Sequence, residues 1–191
     1  ILVNRLTFFA SNGAGGGNTG SPVAAIGPSA ARDNTGTEVS AIGNNAAAAN
    51  TGSAVSAIGN SAAADNTGDN VSAIGSSAAN ANTGSDVSAI GSNAANANTG
   101  SKVYAIGSGA AYTNTGTEIS AIGPNAAYAN TGNKVYAIGS EAASGNNSDN
   151  VIALGSNAGA SNTLPNSFIV SNLELPSFVD YAAAAAVITG G

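Results

Sequence analysis

Val87-Ser88-Ala89-Ile90-Gly91-Ser92-Asn93-Ala94-Ala95-Asn96-Ala97-Asn98-Thr99-Gly100, with Ser101-Lys102 before the next Val, is the unit from which the architecture can be read. Its markers return every sixteen residues. Asn-Thr-Gly begins at Asn18, Asn34, Asn50, Asn66, Asn82, Asn98, Asn114 and Asn130, then persists in register as Asn146-Asn147-Ser148 and Asn162-Thr163-Leu164. Ile-Gly keeps the same step from Ile26-Gly27 to Ile138-Gly139 and ends as Leu154-Gly155. Ala-Ala runs from Ala30-Ala31 to Ala142-Ala143 and closes as Ala158-Gly159. Nine units carry no insertion, so an internal repeat organises the chain.

The unit is β rather than helical. The unit holds one Gly after Ile90 and another after the Thr of Asn-Thr-Gly, leaving no helical stretch longer than about ten residues, and sixteen fits neither a seven- nor an eleven-residue supercoil period. Val87 to Gly91 reads as a short strand closed by a turn. Asn98-Thr99-Gly100 has turn chemistry, because Asn bonds its own downstream backbone and Gly accepts positive φ. Two short strands and two turns per unit predict one coil of a parallel β-roll or β-solenoid. Stacked at ~4.8 Å, the coils give a rod on the order of 45 Å long.

Stacking turns sequence positions into columns. Val23, Val39, Val55, Val71, Val87, Val103, Ile119, Val135 and Val151 form one, and Ala25 through Ala153 another. Two-residue alternation places both on one face, which is the expected narrow interior. The Asn column is expected to form an amide ladder, each side chain donating to one neighbour and accepting from the other. One column reads Asp86, Lys102, Glu118, Lys134, an alternation of sign that face-to-face neighbours favour. Ile26, Ile42, Ile58, Ile74, Ile90, Ile106, Ile122 and Ile138 alternate with Val and Ala. Strict alternation makes them an outward apolar ladder, the mark of an inter-chain interface that cyclic symmetry would close. The other reading has Ile at a corner, turned inward.

Composition agrees with a thin rod. The 191 residues include 42 Ala, 26 Asn and 26 Gly, about half the chain, and only 7% are charged. An average soluble domain carries roughly 25% charged residues. Leu, Ile, Val and Phe are too scarce for a globular core of this size. With no His and no Cys there is no thiol nucleophile, Ser–His pair, disulfide or zinc site of the usual kind. Four cations (Arg5, Arg32, Lys102, Lys134) and a net charge of −6 supply no phosphate footprint, so no nucleic-acid partner is expected. No apolar run reaches the ~20 residues of a membrane span. Ile1 to Ala10 lack the features of a signal peptide, and the absence of an initial Met suggests a processed product or a fragment.

Three segments are expected. Residues 1–17 are a capping strand, rich in apolar residues and ending in Phe8-Phe9, with a Gly-rich connector. Residues 18–164 are the repeat. Residues 165–191 hold a last strand at Phe168-Ile169-Val170 and an Ala-rich helix, with Ser177 as its N-cap and Gly190-Gly191 as its stop.

The unit Val87 to Gly100, with its recurrent Ala-Ile-Gly, resembles the YadA-type head repeat of trimeric autotransporter adhesins and phage tail fibres. The resemblance covers residues 18 to about 164. It implies a left-handed parallel β-roll, three copies of which pack into a homotrimer, and a place on a virion or a cell surface. Two departures stand out: the repeat is longer than the family's usual one, and Val lies three places before Ile rather than two. Leu175-Pro176-Ser177-Phe178-Val179-Asp180-Tyr181-Ala182 with its Ala run also looks like a segment near the C-terminus of phage tail-fibre proteins, which suggests a chain cut short after Gly191.

Other motifs are weaker. Gly15-Gly16-Gly17-Asn18-Thr19-Gly20 matches the dinucleotide glycine pattern, but no helix follows it, so no cofactor is expected. Asp33 with Glu38, and Asp65 with Asp69, do not recur in every coil and are not read as a metal site. Tyr112 and Tyr128 share one column in adjacent coils and should stack; Tyr104 and Tyr136 share another. These four are the candidate surface-contact residues for a receptor or glycan. The Thr column, Thr19 to Thr131, is the feature an ice-binding monomer would display. The expectation is a non-enzymatic, all-β rod, most simply a segment of a homotrimeric fibre that mediates attachment. The alternatives are an ice-binding solenoid and a cell-surface adhesin or filament subunit.

Overall fold

Each Val-Ser-Ala-Ile stretch forms one four-residue strand, as its β-branched residues favour. The structure, a computed structural model, describes residues 7–171. Its strands are β1 (Thr7–Ala10), β2 (Val23–Ile26), β3 (Val39–Ile42), β4 (Val55–Ile58), β5 (Val71–Ile74) and β6 (Val87–Ile90). They continue as β7 (Val103–Ile106), β8 (Ile119–Ile122), β9 (Val135–Ile138), β10 (Val151–Leu154) and β11 (Ser167–Val170). All eleven pair in parallel and in chain order in a single sheet. The register is sixteen throughout, from Thr7↔Val23 through Val87↔Val103 to Val151↔Ser167. Residues 7–171 form an all-β, sixteen-residue-repeat solenoid. The expected helix beyond Ser177 lies outside the described residues.

Two strands per coil were expected, and the structure has one. The rest of the coil is an arc whose backbone alternates in handedness. In the coil of β6 the left-handed residues are Asn93 (φ 56), Ala95 (φ 49) and Ala97 (φ 53), and Lys102 (φ 58) follows before the next strand. Alternation swings successive N–H groups in opposite directions. The Asn93 and Ala97 amides donate to the preceding coil (Ser76 O 2.9 Å, Asn80 O 2.8 Å), and Ala95 donates to the following one (Ala110 O 2.8 Å). Between them, Ala94, Asn96 and Asn98 close turns onto Gly91, Asn93 and Ala95 at 3.3–3.4 Å. A left-handed L-residue costs roughly 1–2 kcal/mol. The neighbouring coils meet that cost, because in any other conformation these amides lose their partners in the adjacent coils.

The interior is a column one side chain wide. Val87 and Ala89 enter it from the strand, Ala94 and Ala95 from the arc, and all four types of position are buried along the rod. The remaining space holds Asn98 and its counterparts, which are fully buried from Asn34 to Asn146. The expected ladder is present and complete. Asn98 Nδ2 donates to Asn82 Oδ1 (2.8 Å) and to its own Gly100 O (2.6 Å), while Asn98 Oδ1 accepts from Asn114 Nδ2 (2.8 Å). Both amide hydrogens and the amide oxygen are thus used, which is what allows so polar a group in the core.

Coil contact sets the two Gly columns. A Cβ on Gly100 would land on the carbonyl oxygen of Gly116, and one on Gly91 (φ 133) would come within 2.6 Å of the Gly107 carbonyl oxygen. The column of Gly100 continues to Gly132 and then holds Ser148 and Leu164, and only after Leu164 does no further coil follow among the described residues.

Both ends of the column are plugged in the same way. Phe9 occupies the position of Ala25, and its ring fills the space that a side chain at Gly15 would need. Ile169 occupies the position of Ala153, and a Cβ on Gly159 would approach its Cδ1 to 3.2 Å. The adjacent coils carry Ala31 and Ala143 in the column that Gly15 and Gly159 terminate. Replacing Ala by Gly at the two ends makes room for the bulky residue that closes the core.

Candidate functional site

The outward face of the sheet carries what the interior cannot. Strand residues alternate buried and exposed, so Val and Ala point in while the second and fourth positions point out. Ile26, Ile42, Ile58, Ile74, Ile90, Ile106, Ile122 and Ile138 form the fourth column, each 39–46% exposed. Ile therefore faces outward and not into the roll. In-register pairing makes the column continuous, and Leu154 and Val170 extend it. An exposed aliphatic stripe along a whole rod is a surface feature that normally meets another surface.

The second column is mainly Ser, interrupted by Tyr104 (61% exposed) and Tyr136 (53% exposed). Ser120 lies between them in register. The two rings border an open cleft of 480 Å³ with Ser120 and Ile119 along it and Asp86, Lys102 and Glu118 beside it. Lys102 Nζ pairs with Glu118 Oε1 at 3.5 Å, and Asp86 accepts from Asn70 Nδ2 at 2.9 Å. The alternating charge column thus forms one ion pair among the described residues. Solvent screening limits its worth to ~0–1 kcal/mol.

Tyr112 and Tyr128 lie elsewhere, on the arc. Their rings stack at 5.3 Å between centroids and 4° between planes, as adjacent coils require. This pair closes on itself, whereas Tyr104 and Tyr136 stay apart because Ser120 separates them. Sequence reasoning singled out all four Tyr but not Ser120, the small residue that leaves the gap. The signal was present in the column order Tyr, Ser, Tyr at sixteen-residue spacing.

The Thr column is exposed along the rod from Thr19 to Thr131. Among the acidic residues, Asp33 pairs with Arg32 at 3.5 Å, and Asp69 Oδ1 accepts the Ser53 amide at 2.7 Å. Among the described residues no three acidic side chains gather into a cation site. No helix there is long and apolar enough to cross a membrane. Residues Gly15 to Gly17 belong to the first arc, where the Gly15 amide donates to Ala30 O (2.8 Å) and Gly16 O accepts the Asp33 amide (2.7 Å).

No protein-family model, curated protein or solved structure matches the chain.

Proposed function

We propose that this chain is a structural, non-enzymatic rod that associates with copies of itself along the Ile column, as a segment of a homotrimeric fibre of the tail-fibre or adhesin kind. The observation that carries the reading is the exposed ladder from Ile26 to Ile138 on a rod whose interior is already full. Burying the exposed part of each Ile contributes on the order of 1 kcal/mol, and the ladder adds such terms along its whole length. Parallel, in-register copies around a cyclic axis bring every Ile against its own counterpart and close the assembly. The outcome is a stiff shaft that presents attached regions at a distance from their support, on a virion or a cell surface.

Solution mass at micromolar concentration tests the association. A species of three times the 18.0 kDa chain mass is expected. A particle of single-chain mass under those conditions would overturn the reading. Replacing both Ile90 and Ile122 by Lys should reduce the mass to that of one chain while the circular dichroism of the coil persists.

A second reading has its own observation. The hydroxyls of Thr19, Thr35, Thr51, Thr67, Thr83, Thr99, Thr115 and Thr131 repeat at the coil spacing of about 4.8 Å, exposed and without hydrogen-bond partners among the described residues. Such a row suits ordered water, as on an ice surface. It runs along a turn in single file rather than as a flat strand surface, which is why the fibre reading stands first. Shaping of ice crystals by the purified chain, lost in Thr67→Lys with Thr99→Lys, is the outcome this second reading requires.

A further inference from the structure

We propose that the slot between Tyr104 and Tyr136, above Ser120, binds one neutral pyranose ring of a glycan. This goes beyond a purely structural rod and does not depend on the number of chains in the assembly. Tyr104 and Tyr136 stand two coils apart in one column, so their strands are separated by about 9.6 Å. The stacked pair Tyr112 and Tyr128, one coil apart, sets the unoccupied reference at 5.3 Å. A flat ring between two aromatic faces needs about 3.5–4.0 Å on each side, or roughly 7–8 Å in all, and would rattle in the gap. A puckered pyranose, thickened on both faces by axial hydrogens, fills it. Its polarised C–H bonds meet the negative faces of the two rings, the geometry an aromatic quadrupole favours.

The polar wall agrees with that ligand. Ser120, Lys102, Glu118 and Asp86 offer both donors and acceptors beside the slot, as vicinal hydroxyls require. With Lys134 beside Glu118 and Tyr136, two carboxylates face two ammonium groups around the slot, so the wall carries no net charge, as suits a neutral sugar. The wall also keeps the slot accessible in a fibre. Withdrawing the exposed Lys102–Glu118 pair and Asp86 from water would carry a desolvation penalty, so this flank belongs at the rim of an Ile interface rather than beneath it. A parallel partner in register places its own Tyr at the heights of Tyr104 and Tyr136, not at that of Ser120, and so cannot fill the gap.

The test uses a variant that the fold accepts. Ser120→Tyr completes a three-ring stack in the geometry already seen for Tyr112 and Tyr128, and plugs the slot. Saturation-transfer NMR with methyl glucoside, methyl galactoside, methyl mannoside and N-acetylglucosamine should show transfer to ring protons in the wild type for at least one sugar. In Ser120→Tyr and Tyr136→Ser that signal should fall at least tenfold, while Ser72→Tyr, elsewhere in the same column, should retain it. No transfer from any of these sugars, or equal transfer in Ser120→Tyr, would overturn the proposal. The solution mass measured on the same samples reports on self-association separately, so the two readings fail independently.

Discussion

Asn98 shows how one residue type carries the polar part of the core. Its amide donates twice and accepts once, and every partner is an atom that needs it: Asn82 Oδ1, Gly100 O and Asn114 Nδ2. Asn98→Asp turns both donations into contacts between acceptors and buries a charge. The expected cost is about 3–5 kcal/mol, measured by urea denaturation. Because the protonated carboxyl can donate again, the folded-state pKa of that Asp lies above its unfolded value. The deficit should therefore shrink as pH falls, until both states are protonated below about pH 4. Asn18→Asp tests the end of the same column. It retains the acceptor for Asn34 and loses one bond, to Gly20 O, so its cost should stay within about 1.5 kcal/mol. Ala97 makes a complementary point about backbone. It is held at φ 53, and Gly145 occupies the same column naturally at φ 65. Ala97→Gly relieves about 1–2 kcal/mol of left-handed strain against roughly 0.5–1 kcal/mol of added chain entropy. The denaturation midpoint should hold or rise, opposite to the usual effect of Gly in regular structure.

Among the elements of a coil, the strand was legible and the arc was not. Val87-Ser88-Ala89-Ile90 alternates with period two, and the buried and exposed positions follow that alternation in β2 to β5 without exception. Asn93-Ala94-Ala95-Asn96-Ala97 has no such period. Its alternation is one of backbone handedness, which Ala, compatible with many conformations, does not announce. The signal lay in substitutions along the columns: Gly13, Gly15, Gly17, Gly109, Gly145 and Gly159 all stand at left-handed positions. The turn after Thr99 gives a sharp test of coil contact. Gly100→Ala directs its methyl onto the Gly116 carbonyl, and the coils cannot separate locally without breaking the Asn column. We expect a loss of about 3 kcal/mol or more by denaturation.

Over the length of the rod, stability should be graded. Each coil contacts only its two neighbours, so central coils are held from both sides and terminal ones from one. Amide exchange should be slowest around β5 to β7 and fastest near β1 and β11, in spite of the plugs at Phe9 and Ile169. Equal protection from end to end would mean the rod opens only as a unit.

The period, the interior of Val and Ala, the Asn ladder and the lack of a globular core are all written in the order of the residues, whereas burial of that ladder inside the coil is shown by the fold. Each of these follows from stacking identical positions, and a sixteen-residue repeat expresses stacking directly. The same order marked the Ile column and the four Tyr. It took the folded backbone to show that a coil has one strand, that Ile points outward, and that Ser120 opens a gap between Tyr104 and Tyr136. Those facts depend on which way a backbone turns between columns. That direction is set by hydrogen bonds to neighbouring coils sixteen residues away, not by the preferences of the residues that turn.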